Sequence, residues 1–140
     1  MTRDDIVSLF ERRQKDFERL DVAALVADHA PDGTMESPMA GVVTGRAAIE
    51  EVYRTWIRAF RDLKVETVQL LIDGDNIAQV GTIAGSDTGG FMGLPPSGRA
   101  LRFPIVMLFT MRGDKIDRLR TVYDFTGVLV QLGVLKARPS

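Results

Sequence analysis

Residues 100–125 read ALRFPIVMLFTMRGDKIDRLRTVYDF and predict the hairpin on which the fold depends. Segments 100–111 and 115–125 are rich in β-branched and aromatic residues, which favour strands. Between them stands Arg112-Gly113-Asp114-Lys115, a sequence typical of a tight turn. Two such segments joined by a short glycine-containing turn predict an antiparallel pair of strands.

An earlier pair of segments repeats this pattern. Residues 64–73 and 76–86 have the same strand-like composition and are joined by Asp73-Gly74-Asp75-Asn76, a second tight turn. The link from this pair to the hairpin, residues 89–98, reads GGFMGLPPSG and predicts an ordered loop. The chain after residue 63 therefore predicts an antiparallel sheet.

The first part of the chain predicts three helices. An apolar stripe (Ile6, Phe10, Phe17, Leu20) indicates a helix from about residue 3 to 19. Asp21 predicts the N-cap of a short second helix, which Pro31-Asp32-Gly33 ends. A third helix begins after Gly45, where helical spacing joins Ile49, Val52, Tyr53, Trp56, Ile57 and Phe60. Helices followed by an antiparallel sheet indicate an α+β fold, in which the helices close a curved sheet into a cone with an open mouth.

Composition excludes several classes of protein and site. The 140 residues are 45% hydrophobic and 26% charged, which suits one folded domain over residues 1–140. The absence of cysteine excludes disulfides and a thiol nucleophile, and the single histidine excludes a multi-histidine metal site, so no metal site is expected. A net charge of −1 argues against nucleic acid as a partner. Without a membrane-length apolar run or a signal-like start, we expect a cytoplasmic protein and no membrane partner.

Three stretches resemble the SnoaL-like polyketide cyclases, also called ester cyclases, of the NTF2-like superfamily. They are Met35-Glu36-Ser37-Pro38 with Gly45-Arg46-Ala47-Ala48-Ile49, then Gly93-Leu94-Pro95-Pro96-Ser97-Gly98-Arg99, and finally Asp124-Phe125-Thr126-Gly127 with Gln131-Leu132-Gly133. The resemblance implies an NTF2-like cone-shaped barrel, an apolar cleft, and often a homodimer formed through the sheet. It does not fix the chemistry, because one fold hosts many functions.

The resemblance implies a catalytic aspartate in the last strand, and two residues compete for that position. Asp124 is one candidate, as general acid/base. In the other alignment Asp124 is a structural residue, such as a helix N-cap, and Thr121 stands at the catalytic position. Strand alternation favours the second alignment, because it puts Leu119, Thr121, Tyr123 and Phe125 on the cleft face and Asp124 on the other.

A polar group on the apolar faces of the helices offers another candidate site. Arg13 lies on the stripe of the first helix, where its guanidinium either reaches solvent or enters the cleft to hold an oxygen. His29 is expected on the inner face of the second helix, either as a core residue or as a general base. Tyr53 faces inward from the third helix. An Arg13–His29–Tyr53 cluster is therefore plausible, with Tyr53 orienting the histidine.

These residues lead to one main hypothesis, an enzyme that needs no cofactor and uses acid/base chemistry to cyclise or isomerise a hydrophobic carbonyl compound. Arg13 and Tyr123 would stabilise negative charge on oxygen, and His29 or Asp124 would move the proton. The predicted ligand-binding residues are Phe17, Ser37, Trp56, Met107, Thr121 and Tyr123. The alternatives are a non-catalytic homodimer that binds a hydrophobic ligand and, less favoured, an epoxide hydrolase.

Two further expectations concern the sheet and its loop. Both faces of strand 100–111 look apolar, with Phe103 and Met107 on one face and Val106 and Leu108 on the other, so its outer side is expected to pack on a second subunit. Asp87, just before the 89–98 loop, is expected to be a solvated turn residue.

Overall fold

The computed structural model describes residues 1–136. In this part of the chain the helices are α1 (Arg3–Glu18), α2 (Val22–Ala27), α3 (Arg46–Ala59) and α4 (Phe125–Gln131). The strands are β1 (His29–Ser37), β2 (Gly41–Thr44), β3 (Lys64–Asp73), β4 (Asn76–Ser86), β5 (Ala100–Arg112) and β6 (Lys115–Val122). A short 3-10 helix, Phe91–Gly93, lies in the loop between β4 and β5.

The six strands form one curved sheet in the order β2-β1-β6-β5-β4-β3. All neighbours are antiparallel except β1 and β6, which run parallel. The predicted turns join β3 to β4 and β5 to β6, where Asp73 pairs with Asn76 and Arg112 with Lys115. The α+β class, the first and third helices and the two hairpins are therefore confirmed.

The core lies between the helices and the inner face of the sheet. Along β5, alternate residues from Leu101 to Met111 are buried, as the period of a strand requires. Phe109 meets Phe10 of α1 edge to face, with ring centroids 4.9 Å apart. The outward residues of β5 are more open, and Leu108 is 38% exposed in the single chain.

The prediction that His29 belongs to the second helix is wrong. That helix ends at Ala27 with Asp28 as its C-cap, and His29 begins β1. Pro31-Asp32-Gly33 does not terminate a helix but lies inside β1, where the pairing with β6 shifts register between His29 and Thr34. Proline is tolerated in a strand at such an irregularity. The sequence Pro31-Asp32-Gly33, which is typical of a turn, therefore led to a wrong prediction for a segment that forms a strand.

The last strand is shorter than predicted, because β6 ends at Val122 rather than near residue 125. Asp124 is the N-cap of α4, and its Oδ1 accepts a hydrogen bond from the backbone N–H of Gly127 at 2.9 Å. Of the two interpretations of Asp124, the structure therefore shows the structural one, a helix N-cap.

The expectation that Asp87 is a solvated turn residue is also wrong, because Asp87 is only 2% exposed. Its carboxylate accepts hydrogen bonds from the backbone of Gly90 at 3.0 Å and from the backbone and hydroxyl of Ser97 at 3.1 and 2.8 Å. These bonds fold the loop over the end of α3, where Phe91 is buried against Trp56 with ring centroids 4.8 Å apart. Asp87 therefore organises the loop from inside.

In the described chain no helix has the length and apolar character to cross a membrane.

Candidate active site

A narrow cavity of about 70 Å³ lies between α3 and the inner face of the sheet. Its walls are almost entirely apolar, and they include all six residues predicted to bind ligand together with Tyr53: Phe17, Ser37, Tyr53, Trp56, Met107, Thr121 and Tyr123. The helical spacing of α3 puts Tyr53 and Trp56 on one face. Met107 and Thr121 are paired across β5 and β6, and Tyr123, just after the end of β6, lines the same cavity. The structure therefore brings these residues together around one space.

Four of the lining residues have hydroxyl groups, and two of these hydroxyls make hydrogen bonds to nearby backbone atoms. Ser37 Oγ accepts a hydrogen bond from the backbone N–H of Ala40 at 3.0 Å, which closes the turn after β1. Thr121 Oγ1 donates to the backbone carbonyl of Glu36 at 3.3 Å. The remaining two are the phenolic hydroxyls of Tyr53 and Tyr123, which have different surroundings.

Tyr53 lies at the centre of a buried polar cluster. Its hydroxyl oxygen accepts a hydrogen bond from Arg13 Nη2 at 3.0 Å and lies 2.8 Å from His29 Nε2. The three side chains come from α3, α1 and β1, and all are less than 10% exposed. The predicted Arg13–His29–Tyr53 cluster therefore exists, although only Tyr53 reaches the cavity and the other two lie behind it.

Arg13 is buried and paired, so it neither reaches solvent nor lines the cavity. The residue is 2% exposed, and its Nη1 lies 3.0 Å from Asp28 Oδ2. Its guanidinium carbon is also 5.8 and 5.6 Å from the ring centres of Phe17 and Phe109, within cation–π range. Burial alone would lower the pKa of Arg13, but its contacts with Tyr53 and Asp28 raise that pKa above the usual value. The guanidinium therefore carries its charge inside the core.

Asp28 is the residue of this cluster that sequence reasoning missed. It is 7% exposed and bridges two arginines of α1, since its other oxygen lies 2.5 Å from Arg12 Nη2. Arg12 in turn contacts Asp16, a residue 1% exposed, at 2.9 Å. A buried charge without a partner is prohibitively costly. An arginine on the apolar stripe of α1 was therefore itself a signal that a carboxylate had to lie nearby.

His29 is fully buried and neutral. Burial, and secondarily the charge of Arg13, lower its pKa from 6.5 to about 3, although Asp28 opposes this shift. Its backbone carbonyl accepts a hydrogen bond from Arg46 Nε at 2.8 Å, and this second cation also disfavours a charged imidazole. Its Nδ1 atom has no hydrogen-bond partner among the described residues. At physiological pH the imidazole therefore has one proton and no charge.

Tyr123 contributes the second phenol of the cavity. Its ring packs against Phe103 and Trp56, with centroids 5.2 and 5.8 Å away. Burial raises the pKa of Tyr123 to about 12, so the hydroxyl keeps its proton at all ordinary pH values. Within residues 1–136 no partner of this buried oxygen meets strict hydrogen-bond geometry, although the backbone of Met39 lies close enough to oppose part of the rise in pKa. Tyr123 lines the cavity with its ring, and its hydroxyl oxygen is buried.

Asp124 does not reach the cavity. Its residue is exposed, and its carboxylate is engaged in capping α4. Thr121, the competing residue for the same position, lines the cavity instead. In the part of the chain that the structure describes, no cluster of three or more histidine, cysteine or acidic side chains is placed to hold a metal ion.

Comparison with known proteins agrees with this architecture. The family model described as SnoaL-like polyketide cyclase matches residues 9–132. AclR from Streptomyces galilaeus, for which hydroxylase activity has been proposed, is 22% identical with a TM-score of 0.85, over 99% of this chain and 87% of its own. IdmH from Streptomyces antibioticus, for which polyketide cyclase activity has been proposed, is 25% identical with a TM-score of 0.73, over 93% and 96%.

An NTF2-like protein of unknown function from Burkholderia pseudomallei is 14% identical, with a TM-score of 0.79 over 94% of this chain and 98% of its own. At such low identity the likeness concerns the fold, and it confirms the NTF2-like architecture. No curated protein matches the sequence significantly.

Proposed function

The chain belongs to the SnoaL-like polyketide cyclase family, and from this membership we propose that it is a small-molecule enzyme that cyclises or isomerises a hydrophobic carbonyl compound by acid/base chemistry without a cofactor. The observation that carries the proposal is Tyr53, which lines an apolar cavity and whose hydroxyl oxygen contacts Arg13 and His29. An apolar pocket with few, convergent polar groups is the usual form of a small-ligand site.

In this proposal the Tyr53 hydroxyl donates a hydrogen bond to the carbonyl oxygen of the substrate and keeps its proton. As negative charge develops on that oxygen, Tyr53 stabilises it with its hydrogen bond. Arg13 strengthens this bond because its guanidinium donates to the same phenolic oxygen of Tyr53. The walls of the cavity are almost entirely apolar, and a hydrogen bond in such surroundings is stronger than in solvent. Tyr123 provides a second donor on the cavity wall, and Trp56, Phe17 and Met107 provide apolar contacts for the carbon skeleton.

The size of the cavity bears on the substrate. Pockets for drug-sized ligands usually measure about 300–1,000 Å³, whereas this cavity measures about 70 Å³. A polyketide-sized molecule therefore requires its walls to move. The flexible side chains of Met35 and Met107 line the cavity and can change rotamer readily.

The proposal is tested with purified protein and three substrate classes, namely a polyketide ester, a ketosteroid and an epoxide. We expect turnover of a carbonyl substrate and a loss of about 10²–10³-fold in kcat for Tyr53→Phe, the usual effect of removing one oxyanion donor. Unchanged kcat in this variant, with the fold verified by Trp56 fluorescence, contradicts the assignment of Tyr53.

Asp124→Asn is the matched variant that separates the two candidate acids. Asparagine caps a helix about as well as aspartate does, so the substitution keeps α4 while it removes the carboxylate. Activity retained in Asp124→Asn supports the Tyr53 proposal. A loss of activity comparable to that of Tyr53→Phe supports Asp124 as the general acid/base instead.

A second candidate function is a non-catalytic protein that binds a hydrophobic ligand. The observation in its favour is that no carboxylate lines the cavity among the described residues, while Thr121, one of the two residues that compete for the family's catalytic position, does line it. Native mass spectrometry of the purified protein would detect a co-purified ligand. A bound ligand together with no turnover of any of the three substrates would favour this candidate. The same lack of a carboxylate argues against epoxide hydrolysis.

We also propose that two copies pair through the outer face of the sheet. Leu71, Leu108 and Val122 share this face and are 51%, 38% and 45% exposed in the single chain. Arg118 and Arg120 lie beside them along a shallow hollow. Exposed apolar side chains clustered on one face and rimmed by charges are typical of a protein interface.

A further inference from the structure

The loop between β4 and β5 lies beside the helix α4. Phe91 of the loop meets Phe125, the first residue of α4, edge to face with ring centroids 6.4 Å apart. Beyond the other end of α4, a Cβ placed on Gly133 would lie 2.7 Å from the guanidinium carbon of Arg99, near the end of the loop. The loop therefore contacts both ends of α4, and the two segments present one surface.

This surface exposes four apolar side chains. Residues 92–99 are all exposed, so this part of the loop protrudes. Met92 and Leu94 within it are 49% and 43% exposed, and Val134 and Leu135, just after α4, are 45% and 44% exposed. We call these four residues the loop–tail patch.

Backbone hydrogen bonds hold the loop–tail patch in this outward arrangement. The N–H of Leu94 donates to the carbonyl of Phe91 at 3.0 Å, and Phe91 itself is only 1% exposed. The N–H groups of Val134 and Leu135 both donate to the carbonyl of Leu129, at 2.9 and 3.2 Å. Both parts of the patch are therefore anchored, and their side chains stay in water unless something outside the chain covers them.

The charges that accompany the patch are all positive. Residues 88–113 and 125–136 include no aspartate or glutamate. Arg102 is joined to α4, because its backbone N–H and carbonyl pair with the side chain of Gln131 at 2.9 and 3.0 Å. Three exposed cations belong to these segments beside the patch: Arg99, Arg102 and Lys136.

The acidic residues that precede the two segments do not offset these cations at the patch. Asp87 is buried, and its carboxylate is bonded within the loop. Asp124 caps the start of α4, at the opposite end of the helix from Val134 and Leu135. The patch therefore combines apolar side chains with charge of a single sign.

This combination fits the surface of a bilayer that contains anionic lipids. Apolar side chains enter the headgroup region of such a bilayer, while arginine and lysine are attracted to its negative charge. A second copy of the chain fits less well, because in a two-fold interface the same patch faces itself and its cations would meet. The expectation of no membrane partner rested on the lack of a spanning segment, which a surface contact does not need.

We propose that the loop–tail patch docks the protein reversibly on an anionic lipid surface. Met92 and Leu94 of the loop and Val134 and Leu135 after α4 enter the headgroup region, and the three cations face the lipid phosphates. Neither the cavity nor Tyr53 takes part in this contact, so it stands apart from the proposed function.

The first test is co-sedimentation of the purified protein with vesicles. We expect binding to vesicles of equimolar phosphatidylglycerol and phosphatidylcholine, much weaker binding to phosphatidylcholine alone, and loss of binding as salt is raised. Arg99→Gln should weaken binding roughly fivefold, the effect of one cation at such a surface. Lys15→Gln, which removes an exposed cation of α1, is the matched control and should change binding little.

The apolar contribution has its own variants. About half of Met92 and of Leu94 is exposed, so Met92→Gln and Leu94→Gln should each weaken binding roughly fivefold. Val68→Gln is the matched control, because Val68 is 74% exposed on the edge strand β3, outside the patch. All three positions are exposed, so the fold should be kept, and Trp56 fluorescence verifies this.

The second test locates the contact. The chain has no cysteine, so Leu94→Cys, Leu135→Cys and Val68→Cys each take a single environment-sensitive dye. With anionic vesicles we expect a blue shift of the dye at positions 94 and 135 and none at position 68.

Absence of binding to anionic vesicles, or equal binding to both vesicle types, overturns the proposal. So does binding that the Met92, Leu94 and Arg99 variants leave unchanged. A change of oligomeric state in Met92→Gln and Leu94→Gln, without vesicle binding by the wild type, identifies a protein interface instead. Vesicle binding is measured without substrate, so its failure and a failure of the proposed function are separate results.

Discussion

The charge pair beneath the cavity gives the sharpest test of the structure. Arg13 and Asp28 have side chains that are 3% and 9% exposed, and their closest atoms are 3.0 Å apart. Asp28→Asn changes the shape of that side chain very little but leaves the guanidinium of Arg13 with only neutral partners, Tyr53 and the carbonyl of Leu25. Breaking a buried pair by neutralising one member costs about 3–5 kcal/mol. We expect that loss in the free energy of unfolding.

The reciprocal variant should cost less. In Arg13→Met the carboxylate of Asp28 still has Arg12 at 2.5 Å, so no charge is left unpaired, and the methionine fills much of the space. We expect a loss of about 1–2 kcal/mol for Arg13→Met. The double variant removes the stranded cation and should therefore be more stable than Asp28→Asn alone, with a coupling energy of roughly 2 kcal/mol.

Urea unfolding followed by the fluorescence of Trp56, the only tryptophan, measures all three variants. Its ring lies within 6 Å of Phe60, Phe91 and Phe103, so its emission reports on the core. A loss below about 1 kcal/mol in Asp28→Asn, or a double variant whose loss equals the sum of the single ones, would refute the buried pair.

The remaining predictions concern acid stability, the loop and the outer face. The pKa of His29 is about 3 in the folded protein and about 6.5 in the unfolded chain. Between these values only the unfolded chain binds a proton, so the free energy of unfolding falls by about 1.4 kcal/mol for each pH unit below 6.5, towards pH 3, and is unaffected by His29 above pH 6.5. His29→Gln should remove this slope, and equal pH profiles of the two proteins would contradict it. Asp87→Ala should cost about 2–4 kcal/mol and speed amide exchange at Gly90 and Ser97, whereas unchanged exchange would show that the carboxylate is dispensable. Leu108→Glu should convert a dimer to a monomer in light scattering after size exclusion, and a wild-type monomer would exclude the proposed pairing.

The sequence predicted well wherever one physical signal dominated. In α3 the apolar spacing alone set the element, its inward face and the direction of Tyr53. In β5 and β6, alternation on either side of the Gly113 turn correctly predicted the face that Met107 and Thr121 share. Alternation also predicted that Asp124 lies off the cleft face, and Asp124 does not line the cavity.

The errors arose where a local signal competed with a tertiary one. Pro31-Asp32-Gly33 is typical of a turn, yet pairing with β6 makes it part of a strand, and His29 moved from a helix to that strand with it. Asp87 follows a strand and precedes glycines, as a solvated residue often does, but it is buried because three donors of its own loop converge on it. Asp28 was missed because no spacing rule links it to Arg13, which is 15 residues away.

The rearrangement of the predicted cluster has a chemical consequence. If Arg13 lined the cavity, as one expectation had it, each apolar ligand would strip water from a charged group, at a large cost. Behind Tyr53, the guanidinium is already desolvated and paired with Asp28 before any ligand arrives. Its hydrogen bond to the cavity wall is made to the phenolic oxygen, so the wall stays neutral while the Tyr53 hydroxyl becomes a better hydrogen-bond donor. An apolar carbonyl compound can then enter at little cost, and the positive charge matters most at the moment when its oxygen becomes negative, as selective stabilisation of a transition state requires.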